Sequence, residues 1–290
     1  MKQVNDFLKY LKSVKNYSDH TVRSYQNDLE QFIDFSGLPD NQIPDHHHIR
    51  SWIVALMNEG ISSHSVKRKV SALKSFYHYL IIEGELDSNP VKKIILPKTD
   101  KKLPVFVNEA NMNQLLDNIS FDEDFEGIRN RLIIEMLYFT GIRVSELTGL
   151  KSSNVNLYES TLKVLGKRNK ERIIPLMPET VKAIRDYLQK RSEEFSGDCD
   201  YLFITSKGNK LYSRLVYRIV HNFLTRVTTL DKRSPHILRH TFATHMLNRG
   251  ADLNAIKEIL GHANLAATEI YTHNTFEKLK KIYKQAHPRA

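Results

Sequence analysis

The stretch from Ser234 to His273, SPHILRHTFATHMLNRGADLNAIKEILGHANLAATEIYTH, constrains the chain most, because it packs several helix starts and stops into one short run. Ser234 followed by Pro235 is a helix-start signal: a cap residue, then a proline at the first helical position, where a missing N–H costs nothing. His236 and Arg239 stand at i and i+3, so both project from one face of that first turn. Gly250 ends the helix, and Asp252 caps the next, which carries Leu253, Ile256, Ile259 and Leu260. Gly261 stops it and leaves His262 just past a helix end; a third short helix, starting near Asn264, delivers Tyr271. Two imidazoles, one guanidinium and one phenol are thus held on consecutive short helices. They form either a site or a set of packing residues, and any one of the four taken alone reads as packing.

At 290 residues the chain is long enough for two domains with separate cores. A hydrophobic content of 41% with only 11 Gly and 9 Pro points to an ordered, mainly helical protein. A single cysteine, Cys199, excludes a disulfide framework and suits a reducing cytoplasm. No apolar run approaches the roughly 20 residues of a membrane span, so no membrane insertion is expected, and MKQVNDFLKYLKSV reads as an amphipathic helix rather than a signal peptide. The formal charge of +10 permits a polyanionic partner such as nucleic acid. It is concentrated in residues 101–290, which hold 30 Lys/Arg against 21 Asp/Glu, whereas residues 1–100 hold 13 against 12.

The first hundred residues read as four or five helices. Val4, Phe7, Leu8, Leu11 and Val14 follow helical spacing, as do Val22, Tyr25, Leu29, Phe32 and Ile33 after a cap at Ser18. Asp45 caps a third helix bearing Ile49, Trp52, Ile53 and Leu56, closed by Gly60. The run His46-His47-His48 resembles a metal tract, but consecutive helical residues point in different directions, so it reads as a solvated first turn. The fourth helix, Ser65 to Ile82, packs Val66, Val70, Leu73, Tyr77 and Leu80. It carries Lys67, Arg68, Lys69 and Lys74 with no acidic residue before Glu83, a one-signed face expected to contact phosphates.

Prolines 90, 97 and 104 and a cluster of lysines then mark a boundary. The expected division is 1–89, a basic linker at 90–108, and a second domain at 109–290. That second domain opens with helices at about 109–118 and 125–139, the latter burying Ile128, Leu132, Ile133, Met136 and Leu137. In TGIRVSELTGL, Gly141 breaks the helix and Arg143 has Glu146 at i+3. This is either a structural ion pair or a carboxylate that orients Arg143 towards a phosphate oxygen. Thr161–Leu165 and Arg172–Leu176 read as a β-hairpin around GKRNKE, with Lys167 and Lys170 at its tip. Helices at about 178–192 and 213–226, the second capped by Ser213, build core. A last amphipathic pattern at 274–285 presents Phe276, Leu279, Ile282 and Tyr283, suited equally to folding back on its own domain and to docking on a neighbouring protomer.

The set TGIRVSELTGL, GKRNKER, SPHILRHTFATH, LGH and IYTH, in this order and spacing, resembles the tyrosine recombinase (phage integrase) family, and within it the Xer-type site-specific recombinases. The resemblance spans nearly the whole chain and implies a mainly α fold with a small β-sheet or hairpin. The implied domains are an N-terminal helical core-binding (SAM-like) domain and a C-terminal tyrosine recombinase catalytic domain. By position it assigns the active site to Arg143, Lys167, His236, Arg239, His262 and the nucleophile Tyr271, with Glu146 in support. Lys67, Arg68, Lys69, Lys74 and Lys170 are then candidate DNA contacts. This chain departs from the family's usual pattern at Arg168 (usually Gly), at Ala266 and Ala267 (usually small hydroxyl residues) and at Asn264 (often acidic). The implied partners are a double-stranded DNA recombination site and a homo- or hetero-tetramer assembled through the C-terminal helix. Activation by a septal DNA translocase of the FtsK type stays open, as does a chromosomal against a mobile-element role. No cofactor is implied.

The chemistry can be argued from the residue types as well. Cutting a DNA strand while keeping the phosphodiester energy requires an enzyme nucleophile that stores the phosphate covalently. A tyrosine hydroxyl suits this, though with a pKa near 10 its phenolate costs roughly 4 kcal/mol at neutral pH. Two arginines can neutralise the charge on phosphorus, histidines can move protons, and a lysine can protonate the departing 5′-oxygen. Two rivals come from other classes. One is a metal-dependent hydrolase using His236 and His240 at i, i+4 with His262, although Ile237 stands where a glutamate base belongs. The other is an architectural DNA-binding protein with an inactive site.

Overall fold

The computed structural model describes residues 2–39, 42–98, 105–166, 170–197, 199–261 and 273–287, the side chains of 273–276 and 278 excepted. The chain divides into two units, Met1–Lys102 and Leu103–Ala290. No helix among the described residues is long and apolar enough to cross a membrane.

The first unit contains helices α1 (Lys2–Ser13), α2 (Asp19–Ser36), α3 (His46–Asn58) and α4 (Ser63–Ile82). Ser18 caps α2 by accepting from the Thr21 N–H, and Asp45 caps α3 by accepting from those of His47 and His48. The apolar stripes meet in a core that includes Phe7, Leu29, Phe32, Trp52, Val66, Leu73 and Leu80, with the Tyr77 hydroxyl donating to the Pro44 carbonyl at 2.6 Å. Helix α4 begins two residues earlier than expected because Ser62 caps it.

Its basic residues, read from the sequence as one phosphate-contacting face, differ in their surroundings. Lys69 is only 8% exposed; its ammonium lies 3.1 Å from Asp28 Oδ1, also donates to Gln31, and sits 5.6 Å from the Trp52 ring centroid. Arg68 donates to both oxygens of the same carboxylate and to Ser24 Oγ at 2.7 Å. Lys69 is therefore paired inside the unit by the buried Asp28. Lys67 is half-buried and Lys74 is exposed.

In the second unit α5 (Glu109–Asn113) runs into a π-helical turn, Gln114–Asn118. The central helix α6 (Phe125–Thr140) is buried almost all round: Leu132, Ile133, Ile134, Met136, Leu137, Tyr138 and Phe139 lie in the core, Arg129 and Glu135 are buried with them, and Glu126 and Arg131 are exposed. A short α7 (Val144–Gly149) leads to an antiparallel sheet of β1 (Val155–Asn156), β2 (Thr161–Leu165) and β3 (Glu171–Pro175) in the order β1-β2-β3. The hairpin is as expected; the two-residue β1 is too short to leave a periodic signal. Helix α8 (Pro178–Glu194) packs on α6, and α9 (Ser213–Thr225) starts after Tyr212, so Ser213 is its first residue rather than its cap. Then follow α10 (Pro235–Asn248), α11 (Leu253–Leu260) and α12 (His273–Ala286). Ser234 occupies the N-cap position of α10, but its side chain makes no capping hydrogen bond. Asp252 does cap α11, accepting from Asn254 and Ala255.

Helix α12 packs on its own unit. Leu279, Tyr283 and Ala286 are buried, Tyr283 donates to the Phe139 carbonyl at 2.8 Å, and Arg249 donates to that of His287 at 3.0 Å. Burial drives the Tyr283 hydroxyl far above its ordinary pKa, so it stays a neutral donor.

The Asp28 cluster makes a direct prediction for the first unit. Asp28→Ala leaves Lys69 buried without a counter-charge and is expected to cost about 3 kcal/mol or more in urea denaturation. Asp28→Ala combined with Lys69→Met is expected to recover part of that loss.

Candidate active site

Two left-handed glycines shape the site. Gly141 ends α6 at φ 60°, and a Cβ there would lie 2.6 Å from Phe242 Cδ1 and 2.7 Å from Leu260 Cδ2. No side chain fits, so α6, α10 and α11 meet at this point with backbone against side chain. Gly261 ends α11 at φ 65°, and a Cβ there would meet the Arg172 side chain at 3.2 Å.

The turn after Gly141 places Arg143 at the N-cap of α7 and Glu146 at its third residue. The Glu146 carboxylate accepts from the Arg143 backbone N–H at 2.8 Å and from its Nη1 at 2.9 Å. The same carboxylate takes a two-pronged contact from Arg172 on β3, at 3.0 and 2.8 Å. Arg172 also donates through Nε to the Ile259 carbonyl at 2.7 Å. From α10, Arg239 donates to the carbonyls of Gly141 and, at 2.6 Å, Leu260. Arg143 reaches the Leu260 and Gly261 carbonyls at 3.5 and 3.4 Å. The carboxyl end of α11 thus receives three guanidinium groups, with the sign that a helix dipole favours.

Burial differs among them in a useful way. Arg172 is 5% exposed and Arg239 8%, while the Arg143 side chain is 27% exposed and opens to solvent. Burial foremost, and then the nearby Arg143, pull the Arg239 pKa down to about 10, leaving it protonated at neutral pH. For Glu146, burial alone would raise the pKa. The hydrogen bonds and charges of Arg172 and Arg143 outweigh it and hold the carboxyl below its usual range. Three guanidiniums against one carboxylate leave a local charge of +2, the complement of an anion.

His236 and Arg239 share α10 as expected but differ in exposure. His236 is exposed, its ring 6.4 Å from that of Tyr217, whereas Arg239 is buried. Half-buried His240 has a buried Nε2 with no partner among the described residues. Lys167, His262 and Tyr271 lie outside the described residues, as do Arg168, Asn264, Ala266 and Ala267. Lys170, at the turn end of the hairpin, is exposed, and its carbonyl accepts from the Gly166 N–H at 2.7 Å. The cluster contains one residue that the sequence reading passed over, Arg172. Its signal was the alternation of β3, which turns Arg172 and Ile174 to the buried face, so a charged residue there needs a buried partner.

The hydrolase alternative gains no support among the described residues. There, the one group of three ligating side chains that converges is Asp45, His46 and His47, with ligand atoms within 4.8 Å of one another. This corrects the expectation that these histidines diverge, since the imidazole rings of His46 and His47 meet at 4.0 Å between centroids, tilted by 38°. Asp45 Oδ1, however, is already engaged by the His47 and His48 N–H groups and by His48 Nδ1.

A depressed carboxylate pKa stabilises the fold above the unfolded-state value and is lost as pH falls through the folded one. Glu146→Gln is therefore expected to lower stability at pH 7 by about 3 kcal/mol. The gap from wild type should narrow as denaturation curves are taken below about pH 4.

Comparison with known proteins follows this geometry. A model of the phage integrase family matches residues 106–278, and one of the phage integrase N-terminal SAM-like domain matches residues 4–84. The chain is 39% identical over 314 residues to the tyrosine recombinase XerC of Chlorobaculum parvum, covering 98% of this chain and 94% of that one. To that of Staphylococcus saprophyticus it is 40% identical over 286 residues, covering 98% and 96%. Among solved structures it is similar to the XerH site-specific recombinase bound to palindromic difH substrate in a post-cleavage complex. That match has 26% identity and a TM-score of 0.73, covering 96% of this chain and 83% of the other.

Proposed function

The chain belongs to the phage integrase family, and on that premise we propose that it cuts and rejoins DNA strands as a site-specific tyrosine recombinase, with Tyr271 as nucleophile. The observation that carries this reading is the +2 arginine cluster at the end of α11, with the solvent-open Arg143 at its mouth. The XerC proteins and the DNA-bound XerH to which the chain is similar support a double-stranded recombination site as substrate.

The step balances as a transesterification. The Tyr271 hydroxyl attacks a phosphodiester phosphorus, forming a tyrosyl O–P bond and breaking the P–O5′ bond. The phenolic proton passes to a base, His236 or His262, and Lys167 protonates the departing 5′-oxygen. The diester enters with one negative charge and gains a second as the phenolate adds, so the five-coordinate species carries two. Arg143 and Arg239 meet that charge with their remaining N–H groups. Glu146 keeps Arg143 in place. The product is a 3′-phosphotyrosyl link with a free 5′-hydroxyl, and attack by such a hydroxyl from a partner duplex reverses the chemistry onto a new strand. Bond energy is conserved, so no step needs ATP, and the arginines supply the electrostatics that a divalent ion supplies elsewhere.

Exchange between two duplexes passes through a Holliday junction and requires four cleavages, hence four protomers. Resolution of chromosome dimers in a bacterium is the role that the XerC relatives favour.

Tyr271→Phe is expected to bind the recombination site normally and yield no covalent adduct with a nicked suicide duplex in denaturing electrophoresis. Adduct at the wild-type level would move the nucleophile elsewhere. Arg239→Lys keeps the charge but loses the fork, and single-turnover cleavage is expected to slow on the order of 100-fold or more. Chelator should leave wild-type cleavage unchanged.

A further inference from the structure

We propose that Arg172 is a positioning residue for strand cleavage: clamped between Glu146 and the Ile259 carbonyl, it fixes the direction in which Arg143 presents its N–H groups. This rests on the recombinase reading above and adds to it a residue that never touches DNA.

The geometry separates Arg172 from the residues that can meet substrate. Arg172 is buried and each of its three nitrogens is engaged, Nε with the Ile259 carbonyl and the two Nη atoms with Glu146, so its fork is already filled by a carboxylate. Yet it sits where three pieces of the site converge. The first is the α7 turn, through Glu146. The second is the end of α11, where a Cβ on Gly261 would already press on Arg172 at 3.2 Å. The third is the turn end of the β2–β3 hairpin, where a Cβ on Gly166 would lie 3.7 Å from Arg172 Nη1 and 3.9 Å from Glu146 Oε1. The two segments that follow directly, 167–169 and 262–271, contain the proposed Lys167, His262 and Tyr271.

The consequence for Arg143 follows from donor counting. A guanidinium has five N–H groups. Arg143 Nη1 is shared between Glu146 Oε1 and the Leu260 carbonyl, and Nη2 gives one N–H to Gly261, which leaves Nε–H and one Nη2–H for an anion. Glu146 can hold that orientation only while its second oxygen and its own position are fixed, and Arg172 fixes both. Without Arg172 the carboxylate is free to rotate towards Arg143 and take up the N–H groups meant for phosphate. The charged groups facing Glu146 among the described residues are Arg143 from its own turn, Arg172 from β3 and Arg239 from α10.

The test uses the full chain in single-turnover cleavage of a nicked suicide duplex at saturating protein. The variants are Arg172→Lys, which keeps the charge without the fork, and Arg172→Met, each alone and combined with Glu146→Gln. Cleavage by Arg172→Lys is expected to fall on the order of 10- to 100-fold, the scale of a displaced reactive group, with DNA affinity unchanged. In Arg172→Met the acid limb of the rate–pH profile should move to higher pH, because Glu146 loses a facing cation. Each double variant should cleave no more slowly than the slower of its parents, since both substitutions act through one carboxylate.

Wild-type cleavage rates in both single variants would overturn the proposal. So would losses that multiply in the double variants, or a loss of DNA binding parallel to the loss of cleavage. Should Arg172→Met fail to fold by circular dichroism, Arg172→Lys and its double variant decide the matter alone. Tyr271→Phe run in parallel keeps the two readings apart. An adduct there sinks the recombinase chemistry, whereas no adduct there with normal cleavage by the Arg172 variants sinks only the positioning role.

Discussion

One carboxylate holds the centre of the second unit together. Glu146 lies between Arg143 and Arg172, with Arg239 a few bonds away on the shared Leu260 carbonyl. Three guanidiniums so close would repel one another in a medium of low dielectric, and two of them are almost wholly buried. A single negative charge with both oxygens engaged, and the carbonyl end of α11, make the arrangement tolerable. They do not neutralise it. The surplus positive charge that remains is poorly solvated on its own, which gives an incoming anion a large share of the stabilisation.

The fold supplies the rigidity this needs. Gly141 and Gly261 let two helix ends turn sharply enough that their last carbonyls face the arginines rather than water. The deeply buried α6 anchors one side, and α10 and α12 pack against it. The arginines therefore come from three elements far apart in sequence, each locked by packing, and little reorganisation remains when a charged transition state forms. In the first unit a similar device recurs. Asp28 gathers Arg68 and Lys69 on one buried carboxylate.

How much of this was legible in the sequence depends on the range of the interaction. Local signals read well: the apolar stripes of α2, α4 and α6, the Asp252 cap, and the glycines that end α6 and α11 all depend on residues within a turn or two. The pairing of Arg143 with Glu146 was legible for the same reason. Arg172 was not, because its partner lies 26 residues away and the sequence around it looks like an ordinary basic hairpin. The pairing of Lys69 was hidden for a related reason. Its charge pattern on α4 is one-signed within the helix, and the carboxylate it meets, Asp28, comes from α2, 41 residues away. The histidines at the start of α3 were judged by the geometry of a helix interior, whereas the first turn allows neighbouring rings to meet. The direction in which α12 docks was open in sequence, since its apolar face suits either arrangement, and in the folded chain it covers its own unit.

The account stands or falls on charge: the arginines act by balancing the negative charge on phosphorus. Replacing one non-bridging oxygen of the scissile phosphate by a methyl group makes the diester neutral and removes one of the two negative charges of the five-coordinate species, while leaving the phosphorus open to attack. Cleavage of such a methylphosphonate duplex by wild type and by Arg143→Ala measures the claim directly. The loss caused by Arg143→Ala should be large on the natural phosphate and nearly vanish on the neutral substrate. An equal loss on both would show that Arg143 does something other than balance charge, and would contradict the account.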